Sequence, residues 1–193
     1  MPGLQGGDIT KLNVGCGHQI LKGWVNCDLI PGKGVNQVFD ASKRWPFDDN
    51  SIDQVYMSHI LEHLEHWEDT VLEAARVLKF GGLFTIRVPY GVNMTAYHVR
   101  YFNKGTLEPF YHNTTGLPFY LPDGRQMVRP PYHLVQMKVN HAMPFAWHLN
   151  HYLGIKWFAD IANGKRGLKT LPIGTRSEII WVLQKENSLE AKA

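Results

Sequence analysis

The residues of this chain best suited to gripping a ligand sit where short apolar runs end. Residues 11–14 (KLNV) run into the turn Gly15-Cys16-Gly17. Residues 24–28 end in the carboxylate of Asp28, and residues 37–40 in that of Asp40. Residues 52–58 (IDQVYMS) run into His59. Glycines at 15 and 17 let the backbone turn tightly and approach a ligand with no Cβ in the way. A carboxylate ending the second run can accept hydrogen bonds from both hydroxyls of a ribose, and one ending the third can accept a bond from an adenine amino group. In an open parallel sheet these positions share one edge, where ligands bind beyond the carboxyl ends of the strands.

The pattern fits a nucleoside better than a dinucleotide. The dinucleotide fingerprint needs a third glycine at position 20, which is Ile20, and its acidic residue about 20 positions further on, whereas Asp28 comes much sooner. No Gly-Lys-Ser/Thr phosphate loop is present. His59, His63 and His66 invite a metal reading, but 59 and 63 share a helix face with no clear third ligand, so no metal is expected.

The elements that must position these residues are strands at 11–14, 24–28, 37–40, 52–58 and 83–88. One amphipathic helix is expected at 68–79 (EDTVLEAARVLK), with Gly81-Gly82 as its stop. Strands joined by crossovers imply a parallel sheet, and the early crossovers are too short for ordinary helices. Residues 132–139 and 178–184 read as two last strands, an antiparallel pair at the sheet edge. The fold class is therefore α/β, a Rossmann-like, mostly parallel sheet with a reduced set of helices and an antiparallel final strand. One domain spans 1–193: a ligand-binding core at 11–89, an acceptor-side insertion at 90–175, and the last strand at 176–185. Within the insertion, dense in aromatic, His, Pro and Gly residues, 145–162 reads as broken helix. A long irregular stretch in a compact domain is commonly functional.

Composition is that of a globular protein: 193 residues, 44% apolar and 19% charged, net charge +3. The basic residues are dispersed, with Lys165, Arg166 and Lys169 the nearest to a cluster, so a nucleic-acid partner is not expected. No apolar run approaches the roughly 20 residues a membrane span needs. Two cysteines and no signal-like N-terminus point to a reducing, cytoplasmic setting.

The stretches KLNVGCG, GWVNCDL, FDASKRWPFDDNSIDQVYMSHILEHL and EAARVLKFGGLFTIRVP, in this order and spacing, resemble class I S-adenosylmethionine-dependent methyltransferases, closest to the compact "methyltransferase 11" type. HVRYFNKGTLEPF and EIIWVLQK echo them more weakly. The resemblance implies S-adenosylmethionine as cofactor and S-adenosylhomocysteine as product. It implies that Asn13, Gly15, Cys16 and Gly17 surround the methionine part, and that Asp28, with Leu29 beside it, holds the ribose. Asp40 would bind the adenine amino group, with Ala41 next to the ring. Ser58 and His59 would border the methionine and acceptor side, and 61–63 would open the helix that closes the pocket. Two positions depart from the family: Asn13 replaces an acid, and Gln19 replaces the last glycine of the loop.

A sulfonium donor needs no obligatory base. Where one is used, His59 comes first, then His63 and His98. Tyr90, Tyr97 and Tyr101 are candidates, with His63 and His98, for the acceptor pocket. The expected function is methyl transfer to an unidentified acceptor, a small molecule or glycan, in a possible homodimer. The alternative, motivated by Asn13 and Gln19, is a non-catalytic module of the same fold that binds the cofactor or a partner protein.

Overall fold

The computed structural model describes residues 10–90, 98–112, 119–121, 123–127, 130–140 and 178–186. Its main sheet has seven strands in the order β3-β2-β1-β4-β5-β9-β8. They are β1 (Lys11–Val14), β2 (Val25–Asp28), β3 (Gln37–Val38), β4 (Ile52–Ser58), β5 (Leu78–Pro89), β8 (Tyr132–Asn140) and β9 (Glu178–Lys185). Strands β6 (Phe119–Tyr120) and β7 (Gln126–Met127) form a separate antiparallel pair. From β3 to β5 every pairing is parallel. Strand β9 is antiparallel to both β5 and β8, so β8 runs with the parallel set and β9 alone is reversed.

Burial explains the register. In β9 the residues Ile179, Trp181 and Leu183 are fully buried and alternate with half-buried ones, the period of a strand with one covered face. Strand β5 alternates likewise through Phe84, Ile86 and Val88. Helix α1 (Trp67–Val77) lays Trp67, Val71, Ala74 and Val77 into the core. Tyr132 ties the edge strand β8 to this helix, its hydroxyl donating to the carbonyl of Val71 at 2.8 Å.

The α/β architecture, the parallel order and the reversed β9 match the sequence expectation. The helix boundary does not. Helix α1 ends at Val77, and Leu78 and Lys79 already belong to β5. Leu78 pairs with Ile52 and is fully buried, while Lys79 bridges Asp53 at 2.9 Å. Sheet pairing ends the helix before the glycines are reached. Gly81 and Gly82 instead lie within β5: Gly81 has φ +79°, and a Cβ at Gly82 would stand 2.9 Å from the carbonyl of Lys79. The third strand is also shorter than expected, Gln37–Val38, leaving Asp40 in the loop beyond it.

Among the described residues, no helix connects β1 to β2 or β2 to β3. A buried asparagine network takes that place. Asn13 Nδ2 donates to the carbonyl of Gln19 (2.7 Å) and to Asn26 Oδ1 (2.8 Å), and Asn26 Oδ1 also accepts from Leu21 N (2.9 Å). Asn36 Oδ1 accepts from Asn26 N (2.8 Å). These bonds satisfy backbone groups that a helix would otherwise satisfy within itself. The loop 41–50 is fixed to α1 in a similar way. Arg76 donates to the carbonyls of Trp45 and Phe47 and to Asp49 and Glu73, and Trp45 is buried beneath it. The expected broken helix at 145–162 and the cluster at 165–169 lie outside the described residues.

Candidate functional site

A crevice opens at the carboxyl ends of β1 and β2. Its floor and walls are Val14, Gly15, Cys27, Asp28, Leu29, Phe39, Asp40, Ala41, Ile60, His63 and Leu64. Six of these were expected from the sequence: Gly15, Asp28, Leu29, Asp40, Ala41 and His63. The lining is mainly apolar with two carboxylates, the usual composition of a small-molecule site.

Gly15 and Gly17 both take left-handed backbone, φ +67° and +49°. The Gly17 N–H donates to Asp28 Oδ2 at 2.7 Å, and Ile30 N donates to Asp28 Oδ1 at 3.1 Å. Asp28 thereby fixes the glycine turn to the end of β2. Each carboxylate oxygen keeps a second lone pair for a ligand donor. Asp40 Oδ1 accepts from both the N–H (2.9 Å) and the hydroxyl (2.7 Å) of Ser42. The Ser42 bonds hold the Asp40 carboxyl below its ordinary range, so it is an anion and an acceptor at neutral pH.

Four expected residues are adjacent to the crevice without lining it. Asn13 is buried in the asparagine network, its amide nitrogen already committed. Cys16 is buried, its N–H donating to the carbonyl of Cys27 at 2.9 Å. Burial raises its thiol, and burial raises Cys27 to about 12, so both stay protonated near neutral pH. Gly17 is exposed at the mouth of the turn. Ser58 ends β4 opposite Arg87.

His59 departs furthest from expectation. It takes left-handed backbone (φ +58°), uncommon for a residue with a Cβ, and so precedes the helical turn instead of belonging to it. That turn is a single 3-10 stretch, Leu61–His63. The His59 ring lies between two carboxylates, with Nδ1 3.2 Å from Glu62 Oε1 and Nε2 2.9 Å from Glu178 Oε1. The bond to Glu62 raises its basicity most, outweighing the opposing effect of burial, with Glu178 adding to it. Burial alone would raise the Glu178 carboxyl, but Arg87 at 2.6 Å and His59 hold it below its ordinary range. Arg87 also reaches Tyr56 Oη at 3.2 Å. His59 thus links β4, the 3-10 turn and β9 through Glu62 and Glu178.

Of the acceptor-side candidates, His63 lines the crevice. His98 stacks edge to face on it, the ring centroids 5.0 Å apart. Tyr90 forms a parallel bridge with Phe102, and Tyr101 is half exposed. Tyr97 lies outside the described residues. Sequence reasoning missed Ile60 and Leu64, which flank the turn and close one wall. Ile60 lies against Gly15, so a Cβ added at Gly15 would stand 2.0 Å from Ile60 Cδ1. The available signal was the apolar pair around the 3-10 turn in HILEHL, readable equally as core.

The parallel sheet with one reversed strand thus carries, at its strand ends, a crevice where Gly15, Asp28 and Asp40 meet. Residues 28–86 match the model of the family Methyltransf_11, a methyltransferase domain. No curated protein matches the sequence. Among solved structures, the chain resembles YcgJ of Bacillus subtilis at 17% identity and TM-score 0.51, over 93% of this chain and 92% of that one. It resembles phosphoethanolamine N-methyltransferase 2 of Haemonchus contortus, crystallised with S-adenosylmethionine, at 15% identity and TM-score 0.53, over 96% of this chain and 50% of that one. The [4+2]-cyclase SpnF shares the fold at 15% identity and TM-score 0.54, over 93% and 75% of the two chains. At these identities the likeness is one of fold. No helix among the described residues is long and apolar enough to cross a membrane.

Proposed function

We propose that this chain is an S-adenosylmethionine-dependent methyltransferase acting on a small molecule or glycan. The observation that carries the reading is the crevice itself, where Asp28, Asp40 and the Gly15–Gly17 turn converge on one apolar cleft at the strand ends. The apolar walls and the open lone pairs of both carboxylates suit an adenosine. Asp28 would take the ribose hydroxyls and Asp40 the adenine amino group, with Ala41 and Leu29 against the base. The turn 15–17 would carry the methionine part. S-adenosylmethionine supplies a methyl group already activated on a sulfonium, whose departing thioether is neutral. The chain's task is then to align an acceptor and exclude water. His63 lines the crevice, and His98 stands beside it as the acceptor-side neighbour. The His59–Glu178–Arg87 link holds that side rigid. A cytoplasmic setting fits the two free, buried cysteines, and a homodimer belongs to the same reading.

A second reading is a binding module without turnover. It draws support from the committed amide of Asn13 and from Ile60 covering Gly15. The two are separated by incubating the chain with S-adenosylmethionine and an acceptor panel of phenols, amines, carboxylates and sugars, and measuring S-adenosylhomocysteine. Acceptor-dependent product, reduced by Asp28→Ala at limiting cofactor, supports the enzyme. Cofactor binding with no product above background across the panel supports the module.

A further inference from the structure

We propose that Glu62, His63 and His98 form a binding site for a first-row divalent transition-metal ion, beside the crevice. Their donor atoms, one carboxylate oxygen and two imidazole nitrogens, lie within 4.8 Å of one another. This trio differs from the His59/His63/His66 set suggested by sequence spacing. His59 is engaged by Glu62 and Glu178. His66 is exposed at the start of α1. The third donor comes from a different part of the chain, after β5, which spacing within one helical turn does not reveal.

The second observation is Glu62. Its side chain is only 1% exposed, and Oε2 has no hydrogen-bond partner. A buried carboxylate oxygen left without a partner is costly, and here it belongs to the carboxylate that clusters with two imidazoles. The other oxygen, Oε1, accepts from His59, a bond of the kind that orients a coordinating carboxylate. The backbone also holds the site together. The N–H groups of Val99 (2.9 Å) and Arg100 (3.3 Å) both donate to the carbonyl of Glu62, and Arg100 Nη2 reaches the carbonyl of Glu65 at 2.9 Å. The segment carrying His98 is therefore fastened to the 3-10 turn carrying Glu62 and His63.

The donor set selects the metal. Imidazole and carboxylate together suit Zn²⁺, and with it Co²⁺, Ni²⁺ or Fe²⁺, whereas Mg²⁺ and Ca²⁺ prefer oxygen throughout. Metal–ligand bonds of about 2.0–2.2 Å put neighbouring donors roughly 3–3.5 Å apart, so the trio has only to close slightly around an ion. His63 is exposed. Three protein donors leave at least one position for water or for an oxygen or nitrogen of an incoming molecule, the form of a reactive site and not of a closed structural one.

The test uses the full chain, stripped with chelator, dialysed, and titrated with Zn²⁺ by calorimetry and with Co²⁺ by visible absorption. One ion per chain should bind saturably, with ligand-field bands for Co²⁺. Glu62→Gln, His63→Ala and His98→Ala should each weaken Zn²⁺ binding at least about tenfold, since even losing an outer partner of a ligand typically costs 10–100-fold. His133→Ala, on the exposed edge strand β8, should change nothing. Circular dichroism and thermal melts identify any variant that fails to fold. His63→Ala, altering an exposed side chain, keeps the test decisive if Glu62→Gln does not fold. Absence of one-to-one binding, or binding that survives His63→Ala and His98→Ala unchanged, overturns the site. Metal binding is read without cofactor or acceptor, so its outcome is separate from that of the methyl-transfer assay.

Discussion

Replacing Asp28 by alanine tests the adenosine assignment at its centre. In the free protein Asp28 accepts from Gly17 N at 2.7 Å and Ile30 N at 3.1 Å. Both contacts are exposed to solvent, and water can replace much of each, so the loss of stability should be no more than about 1 kcal/mol. The effect on affinity should be larger. A charge-assisted hydrogen bond to a ribose hydroxyl contributes about 1.5–3 kcal/mol. At about 1.4 kcal/mol per decade, Asp28→Ala should weaken binding roughly 10- to 150-fold. Asp28→Asn keeps an acceptor oxygen for Gly17 and one hydroxyl but loses the charge, so it should fall between wild type and Asp28→Ala. Calorimetry with S-adenosylhomocysteine measures both without turnover, beside a thermal melt for each variant. A folded Asp28→Ala protein that binds within about twofold of wild type, well under 1 kcal/mol, would falsify the ribose role of Asp28.

Two further predictions follow from the backbone and from charge. Gly17→Ala faces only its left-handed φ, with nothing within 4 Å of the new Cβ, whereas Gly15→Ala must also displace Ile60. At about 1 kcal/mol for the strain, Gly17→Ala should lower Tm by about 2–4 °C. Gly15→Ala should lower it clearly more and impair ligand binding; equal melts for the two variants would show that Ile60 is not a constraint. His59 has a raised folded value, so its contribution to stability is full below about pH 6.5 and fades as pH rises through that raised value. Glu178 has a lowered one, so its contribution is present above about 4.5 and is lost as pH falls through the lowered value. The Tm difference between wild type and His59→Gln should therefore be largest at about pH 5–6 and shrink as pH rises through the raised His59 value. A difference that does not vary with pH would mean that the link is not ionic.

The first half of the chain was legible because its determinants are local. Lys11–Val14 and Ile52–Ser58 are short β-rich runs bounded by turn residues, and the carboxylates at 28 and 40 follow at positions a parallel sheet brings to one edge. Their convergence with Gly15 on a single crevice repeats in three dimensions what spacing had implied. Where the sequence misled, a distant contact overruled a local preference. Helix propensity carries α1 through Lys79, but Ile52 captures Leu78 into the sheet. Three asparagines at 13, 26 and 36 look like unremarkable polar residues until β1, β2 and the loop before β3 bring them together.

The sequence by itself determined the class of fold and which glycines and acids gather at one sheet edge, since alternation, glycine turns and strand-end acids are written within a few residues of one another. Only the tertiary structure decided what His59 and Glu62 do. His59 is placed against Glu178, 119 positions away, and Glu62 and His63 against His98, a residue beyond β5. A side chain's protonation and its capacity to bind an ion depend on the charges that folding brings to it, and those come from strands that sequence spacing does not relate.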